Sequence, residues 1–134
     1  MSRDIYYCWL DDDWLMLEHV RRFEVYDLNL KKVIGSAAWQ RDDKLDWYLD
    51  QNTNVPTQFD ESVSFAFLTE GKDILVTLHD NGLLRYWRTK DWTLVKTLAT
   101  ALLRQQPISS FNVQLTPDRK YLAVRRWVGK SSDG

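Results

Sequence analysis

The feature that most constrains this chain is a run of short β-prone segments separated by turn signals between Ser62 and Leu98. Ile74-Leu75-Val76-Thr77-Leu78 leads through His79-Asp80-Asn81-Gly82 into Leu83-Leu84-Arg85-Tyr86-Trp87. Asn-Gly between apolar runs is the strongest short hairpin signal, because both residues tolerate the positive φ angles of a type I′ turn. The sequence therefore predicts two strands joined there by a tight turn. A turn at Thr89-Lys90-Asp91 followed by Thr93-Leu94-Val95-Lys96-Thr97-Leu98 adds a third strand. Ser62 to Leu68, set off by Thr69-Glu70-Gly71-Lys72, adds a fourth. These strands are apolar on both faces, the pattern of a sheet covered by a neighbour on either side.

The pattern recurs. A shift of 47 residues lays Thr69 to Val76 on Thr116 to Ala123 without a gap and places Leu68 on Leu115. A shift of 61 lays Phe23 to Ile34 on the segment that begins at Leu84, with Tyr26-Asp27 on Trp87-Arg88. Trp14-Leu15-Met16-Leu17 then falls on Ile74-Leu75-Val76-Thr77 with a one-residue difference in the turn, and Ile5 to Leu10 supplies an innermost strand. The two shifts differ because Ala37 to Asp60 holds an insertion. In it Leu45, Tyr48 and Leu49 have helical spacing, and Val55-Pro56 marks a return to extended chain.

An Asn-Gly turn, then a tryptophan, then a turn and a short aliphatic strand resembles a WD-repeat β-propeller blade, and Asn81, Gly82 and Trp87 carry the match. The pattern departs from the family at Arg88, where aspartate usually follows the tryptophan, and in having no Gly-His pair before the first strand. The resemblance implies an all-β fold in a single domain over 1–134: an incomplete propeller arc of four-stranded antiparallel blades. Blade one spans about 4–36, the insertion about 37–60 with a short helix, blade two about 61–100 and half of blade three about 108–134.

A ring needs about four blades or more, and each sheet needs cover on both faces. The arc is thus expected to be part of a longer propeller, to be completed by another subunit, or to be the remnant of a broken gene. A simple homo-oligomer is not favoured, since copying the chain does not supply the missing outer strands. Uncovered apolar faces and a strand edge near Tyr121 to Val124 are association hazards.

Composition narrows the functional classes. A net charge of −1 provides no field for phosphate backbones or anionic lipid, so neither nucleic acid nor membrane is expected as a partner. The single cysteine, Cys8, excludes an internal disulfide and fits a reducing, cytoplasmic setting. Acidic Asp4 and Asp11-Asp12-Asp13 are unlike a signal peptide, and no apolar run is long enough to span a bilayer.

The two histidines, His19 and His79, lie near predicted turns with no nucleophile or carboxylate set beside them, and His79 reads as a turn residue. No catalytic residue, metal set or cofactor is expected, and Asp11-Asp12-Asp13 reads as an exposed acidic turn without the spacing of a calcium loop. Most of the seven tryptophans belong to cores and joints. Trp39, Trp47 and Tyr48 lie in the insertion, outside the blade pattern, and are the candidate partner-binding residues, with cover for the rim as the plainer alternative. Arg125-Arg126 fits either an acidic partner or protection of a strand edge. The reading is a non-enzymatic protein–protein interaction or scaffold module whose partner is another polypeptide or the remainder of the propeller. The alternatives are a small-molecule or nucleic-acid site at the open edge and tryptophan-rich insertion, or a gene remnant without function.

Overall fold

The computed structural model describes residues 7–40, 62–80, 82–100 and 111–126. Within them β1 (Tyr7–Trp9), β2 (Trp14–His19), β3 (Arg22–Asp27) and β4 (Lys32–Ala38) form one antiparallel meander. A second is formed by β5 (Val63–Leu68), β6 (Ile74–His79), β7 (Leu83–Arg88) and β8 (Thr93–Ala99). A third, two-stranded sheet is the hairpin of β9 (Phe111–Leu115) and β10 (Leu122–Arg126). The fold is all-β: among the described residues the only helical element is a single 3-10 turn at Glu70–Lys72. The helix expected in the insertion falls outside the described residues. Ala37 and Ala38 belong to β4, so the first sheet runs on past the expected boundary at 36.

Alternation along the strands decides which side of each sheet is inside. Met16 pairs with Val25 and Glu18 with Phe23, so these four share one face of sheet one. On sheet two, Leu75 pairs with both Leu68 and Trp87, and Thr77 with Ala66, which puts them on one face as well. These two faces meet. Met16, Phe23 and Val25 are 0% exposed and form one core with Ala66, Leu68, Leu75 and Trp87, closed by Leu10, Trp39 and Val63. The Phe23 ring meets Trp87 nearly at right angles with centroids 5.2 Å apart. Burying each large side chain in such a core contributes about 1.5–3 kcal/mol. The joint also carries polar contacts: the Val63 N–H donates to the Glu18 carboxylate at 2.8 Å.

The opposite face of sheet two, with Phe65, Phe67, Val76 and Leu78, is covered too, since Val76 and Leu78 are 1% exposed. The third hairpin is tied to this sheet by the Arg119 guanidinium, which donates to the Leu68 carbonyl at 2.8 Å.

The repetition seen in the sequence is present in the backbone. Thr69 and Thr116 open equivalent turns: each donates its N–H to the carbonyl five residues on, Ile74 at 2.9 Å and Tyr121 at 3.0 Å. Lys72 and Arg119, at the same place in these turns, both take left-handed angles, φ 61° and 60°. At the shift of 61, the β3–β4 and β7–β8 turns both close by a bond from the fourth loop residue, Lys31 to Asp27 and Trp92 to Arg88. Lys31 and Trp92 are again left-handed, φ 57° and 59°. Both hairpins then carry a bulge after the turn, between Val25 and Tyr26 and between Tyr86 and Trp87.

One turn differs from expectation. Asn81 lies outside the described residues, but the Gly82 N–H bonds to the His79 carbonyl at 2.9 Å, and the β6–β7 ladder starts at Leu78 opposite Leu84. The connection between His79 and Leu83 is therefore three residues long, with left-handed Gly82 (φ 96°) closing it, and not a two-residue type I′ turn. Asn-Gly signals a reversal, but the strand ladder fixes which residue closes it.

Gly35 sits in the first bulge, directly beneath the Trp92 indole of sheet two, so that a Cβ at this position would fall inside the ring. Gly35→Ala is expected to lower stability by about 1–3 kcal/mol, as overpacking does. Removing the indole in the Gly35→Ala background should add less than the loss caused by Trp92→Ala in the native chain. Urea unfolding of the four members of this double-mutant cycle gives the coupling directly.

Candidate functional site

Among the described residues, three places concentrate polar or aromatic side chains. The first is buried. Trp87 donates its indole N–H to Thr77 Oγ1 at 3.0 Å, and the same oxygen lies 2.8 Å from His79 Nε2. Trp39 stands edge-on to His79 at 4.8 Å between centroids, and the Arg85 guanidinium lies over the Trp39 ring at 5.6 Å. Thr77 and His79 are 0% exposed. His79 is thus a buried core residue at the end of β6, paired with Val63 of β5, and its side chain is not the exposed turn group expected, although its carbonyl accepts the Gly82 N–H that closes the turn. A network that links β6 and β7 and packs against the segment leaving sheet one fixes the joint. It presents no surface to a ligand.

The second place is where the inner turns of the three sheets converge. A cleft of about 300 Å³ is lined by Asp11, the turn Thr69 to Lys72, and Pro117 to Arg119. Most of its charges are engaged locally. Lys72 pairs with Asp11, Arg119 with the Leu68 carbonyl, and the Asp118 carboxylate with the Thr116 hydroxyl and the Lys120 N–H. Asp11 also accepts the N–H groups of Asp13 and Trp14, both at 2.8 Å. Burial pushes the Asp11 carboxyl up, but the Lys72 ammonium and those two N–H groups outweigh it and hold the group below its ordinary value. The Asp11 carboxylate in turn raises Lys72 above 10.5. Asp11 is therefore a half-buried joint residue, while Asp12 beside it is exposed as expected. Among the described residues no group of three or more His, Cys, Asp or Glu could hold a metal ion.

The third place is the front of sheet one, the face turned away from sheet two. Register puts Tyr7 beside Leu17, Trp9 beside Leu15, and Leu15 beside Tyr26 on this side. Tyr7 is 61% and Trp9 53% exposed. Glu24 on the same face pairs with His19 at 3.1 Å and Arg22 at 3.4 Å, a polar rim to an aromatic and aliphatic centre. By the repeat, Leu15, Leu17 and Tyr26 hold the places of Leu75, Thr77 and Trp87, the face of sheet two that sheet one covers. Exposed Trp and Tyr over an apolar patch with a charged rim is the anatomy of a protein-binding surface.

The residues singled out from sequence fall differently. Trp39 is 6% exposed and belongs to the buried network. Trp47 and Tyr48 lie outside the described residues. Tyr7 and Trp9 were hidden by their place in an innermost strand, where covered side chains are the expectation; their alternation about Cys8 is the signal that puts both on one face. No helix of the described residues is long and apolar enough to cross a membrane. The sequence matches no protein-family model and no curated protein.

Two outcomes follow from the polar contacts. Thr77→Val leaves the buried Trp87 N–H without its acceptor and should cost about 1–3 kcal/mol in denaturant unfolding, whereas Thr77→Ser should retain most of it. The lowered Asp11 value contributes stability that is present above the ordinary carboxyl value of about 3.9 and lost as pH falls through the folded value. The raised Lys72 value contributes stability that is complete below 10.5 and lost as pH climbs through the folded value. Unfolding followed across pH should therefore show both limbs flattened in Asp11→Asn.

Proposed function

We propose that this chain is a non-enzymatic protein–protein interaction module of the WD-repeat kind, an arc of a propeller that engages another polypeptide through the front of sheet one. The domain is read as one arc over 1–134, blade one ending near the insertion, blade two following it and the third hairpin beginning another repeat. Support for the repeat reading comes from turns and bulges that recur at shifts of 47 and 61 residues. The observation that carries the interaction reading is the pair Tyr7 and Trp9, more than half exposed on a face whose equivalent in sheet two is covered by a neighbouring sheet. The partner supplies that cover, either as a separate subunit or as more of the same kind of propeller, in the cytoplasm.

Fold likeness alone does not carry function, so the surface has to be tested directly. A benzoyl-phenylalanine photocrosslinker placed at Trp9 in cells should yield a discrete adduct with another polypeptide. Leu15→Glu in the same chain should abolish it, and the crosslinker at exposed Val20, on the β2–β3 turn, should not form it. No adduct beyond that of the Val20 control would sink the proposal. Salt-sensitive micromolar binding of an oligonucleotide would favour a nucleic-acid site instead.

A further inference from the structure

We infer that the β9–β10 hairpin is a cap, whose outer face is built for water and stops the stacking of apolar sheets on that side of the molecule. The observation is a one-for-one comparison of equivalent faces. The pairs Leu115 with Leu122 and Val113 with Val124 occupy the places of Leu68 with Leu75 and Ala66 with Thr77, the face that each sheet turns toward the preceding one. The other face of the hairpin holds Asn112 opposite Arg125 and Gln114 opposite Ala123.

In sheet two the same four places hold Phe65, Leu78, Phe67 and Val76. Phenylalanine has given way to asparagine and glutamine, leucine to arginine, and valine to alanine. All four hairpin residues are exposed, while Val76 and Leu78 are 1% exposed. A further sheet docked here would bury two amides and a guanidinium without apolar gain, at a desolvation cost that burial of one alanine cannot offset. The turn of the hairpin still reaches back through Arg119, as Lys72 does in the sheet before it, and on the inner face Val113, Leu115 and Leu122 are partly buried while Val124 is 38% exposed. The inference stands on the hairpin's own residues and does not require that the front of sheet one bind anything.

The test compares the two faces in the full-length chain. Gln114→Glu and Ala123→Glu should each leave the melting temperature within about 2 °C of the native chain, as surface changes do. Val76→Glu and Leu78→Glu, at the equivalent places on sheet two, should abolish cooperative melting or lower it by more than about 10 °C. Because a charged variant can fail for local reasons, thiol labelling gives a second readout. In a Cys8→Ser background, Ala123→Cys should react with a maleimide at close to the rate of the unfolded chain, and Val76→Cys at least about 100-fold more slowly, the ratio set by how rarely the native structure opens. Protection of the cysteine at 123, or melting of Ala123→Glu as low as that of Val76→Glu, would overturn the inference by showing that this face is covered.

Discussion

Trp87, packed between two sheets, holds the molecule together. The indole is 1% exposed, donates to Thr77 across β6 and β7, and meets Phe23 of sheet one at 5.2 Å. One side chain thereby sets the spacing of the sheets, the orientation of His79 through Thr77, and the place of Trp39, whose ring lies 6.3 Å from its own. A close-packed aromatic joint of this kind has few alternative arrangements, because shifting one ring opens a void or creates an overlap with the others. The glycine at position 35 follows from the same constraint, since the Trp92 indole occupies the space a side chain there would need.

Around this joint the backbone repeats a small set of strained turns. Lys31, Lys72, Trp92 and Arg119 all take left-handed angles that cost an L-residue about 1–2 kcal/mol relative to its preferred region. The strain is offset by what the turns accomplish. Lys72 and Arg119 are carried to the neighbouring sheet and bond back to it, one to a carboxylate and one to a backbone carbonyl. Lys31 and Trp92 close the loops that set the register of the two outer hairpins. A recurrent turn thus serves both to end a strand and to bind one sheet to the next.

The stack also has a direction. Sheet two is covered on both faces, sheet one keeps an aromatic front with Tyr7 and Trp9 exposed, and the third hairpin turns amides and an arginine outward. Desolvation makes these ends inequivalent: apolar surface gains by being covered, whereas amides and guanidinium groups lose water that an apolar neighbour cannot replace. The two ends of the stack therefore differ in what covering them would gain.

The strands, their order along the chain and their repetition are legible without the structure. Short apolar runs, the Asn81-Gly82 reversal and the matches at 47 and 61 residues are local patterns, and each reappears as a hairpin, a shared turn or a shared bulge. Which faces are covered depends instead on how the sheets pack. The burial of Trp39 and His79 and the exposure of Trp9 depend on which sheet lies opposite, and one strand's composition carries no record of its neighbour across the joint. The left-handed lysines and arginines were likewise illegible, because such angles are signalled by glycine or asparagine, and here they are imposed on other residues by the ladders on either side. The polar face of β9–β10 lies between these cases: its residues are plain in the sequence, but their meaning required the register that sets Asn112 and Gln114 in the places of Phe65 and Phe67. A side chain's type is local information, whereas its cover is a property of two surfaces that meet only once the chain has folded.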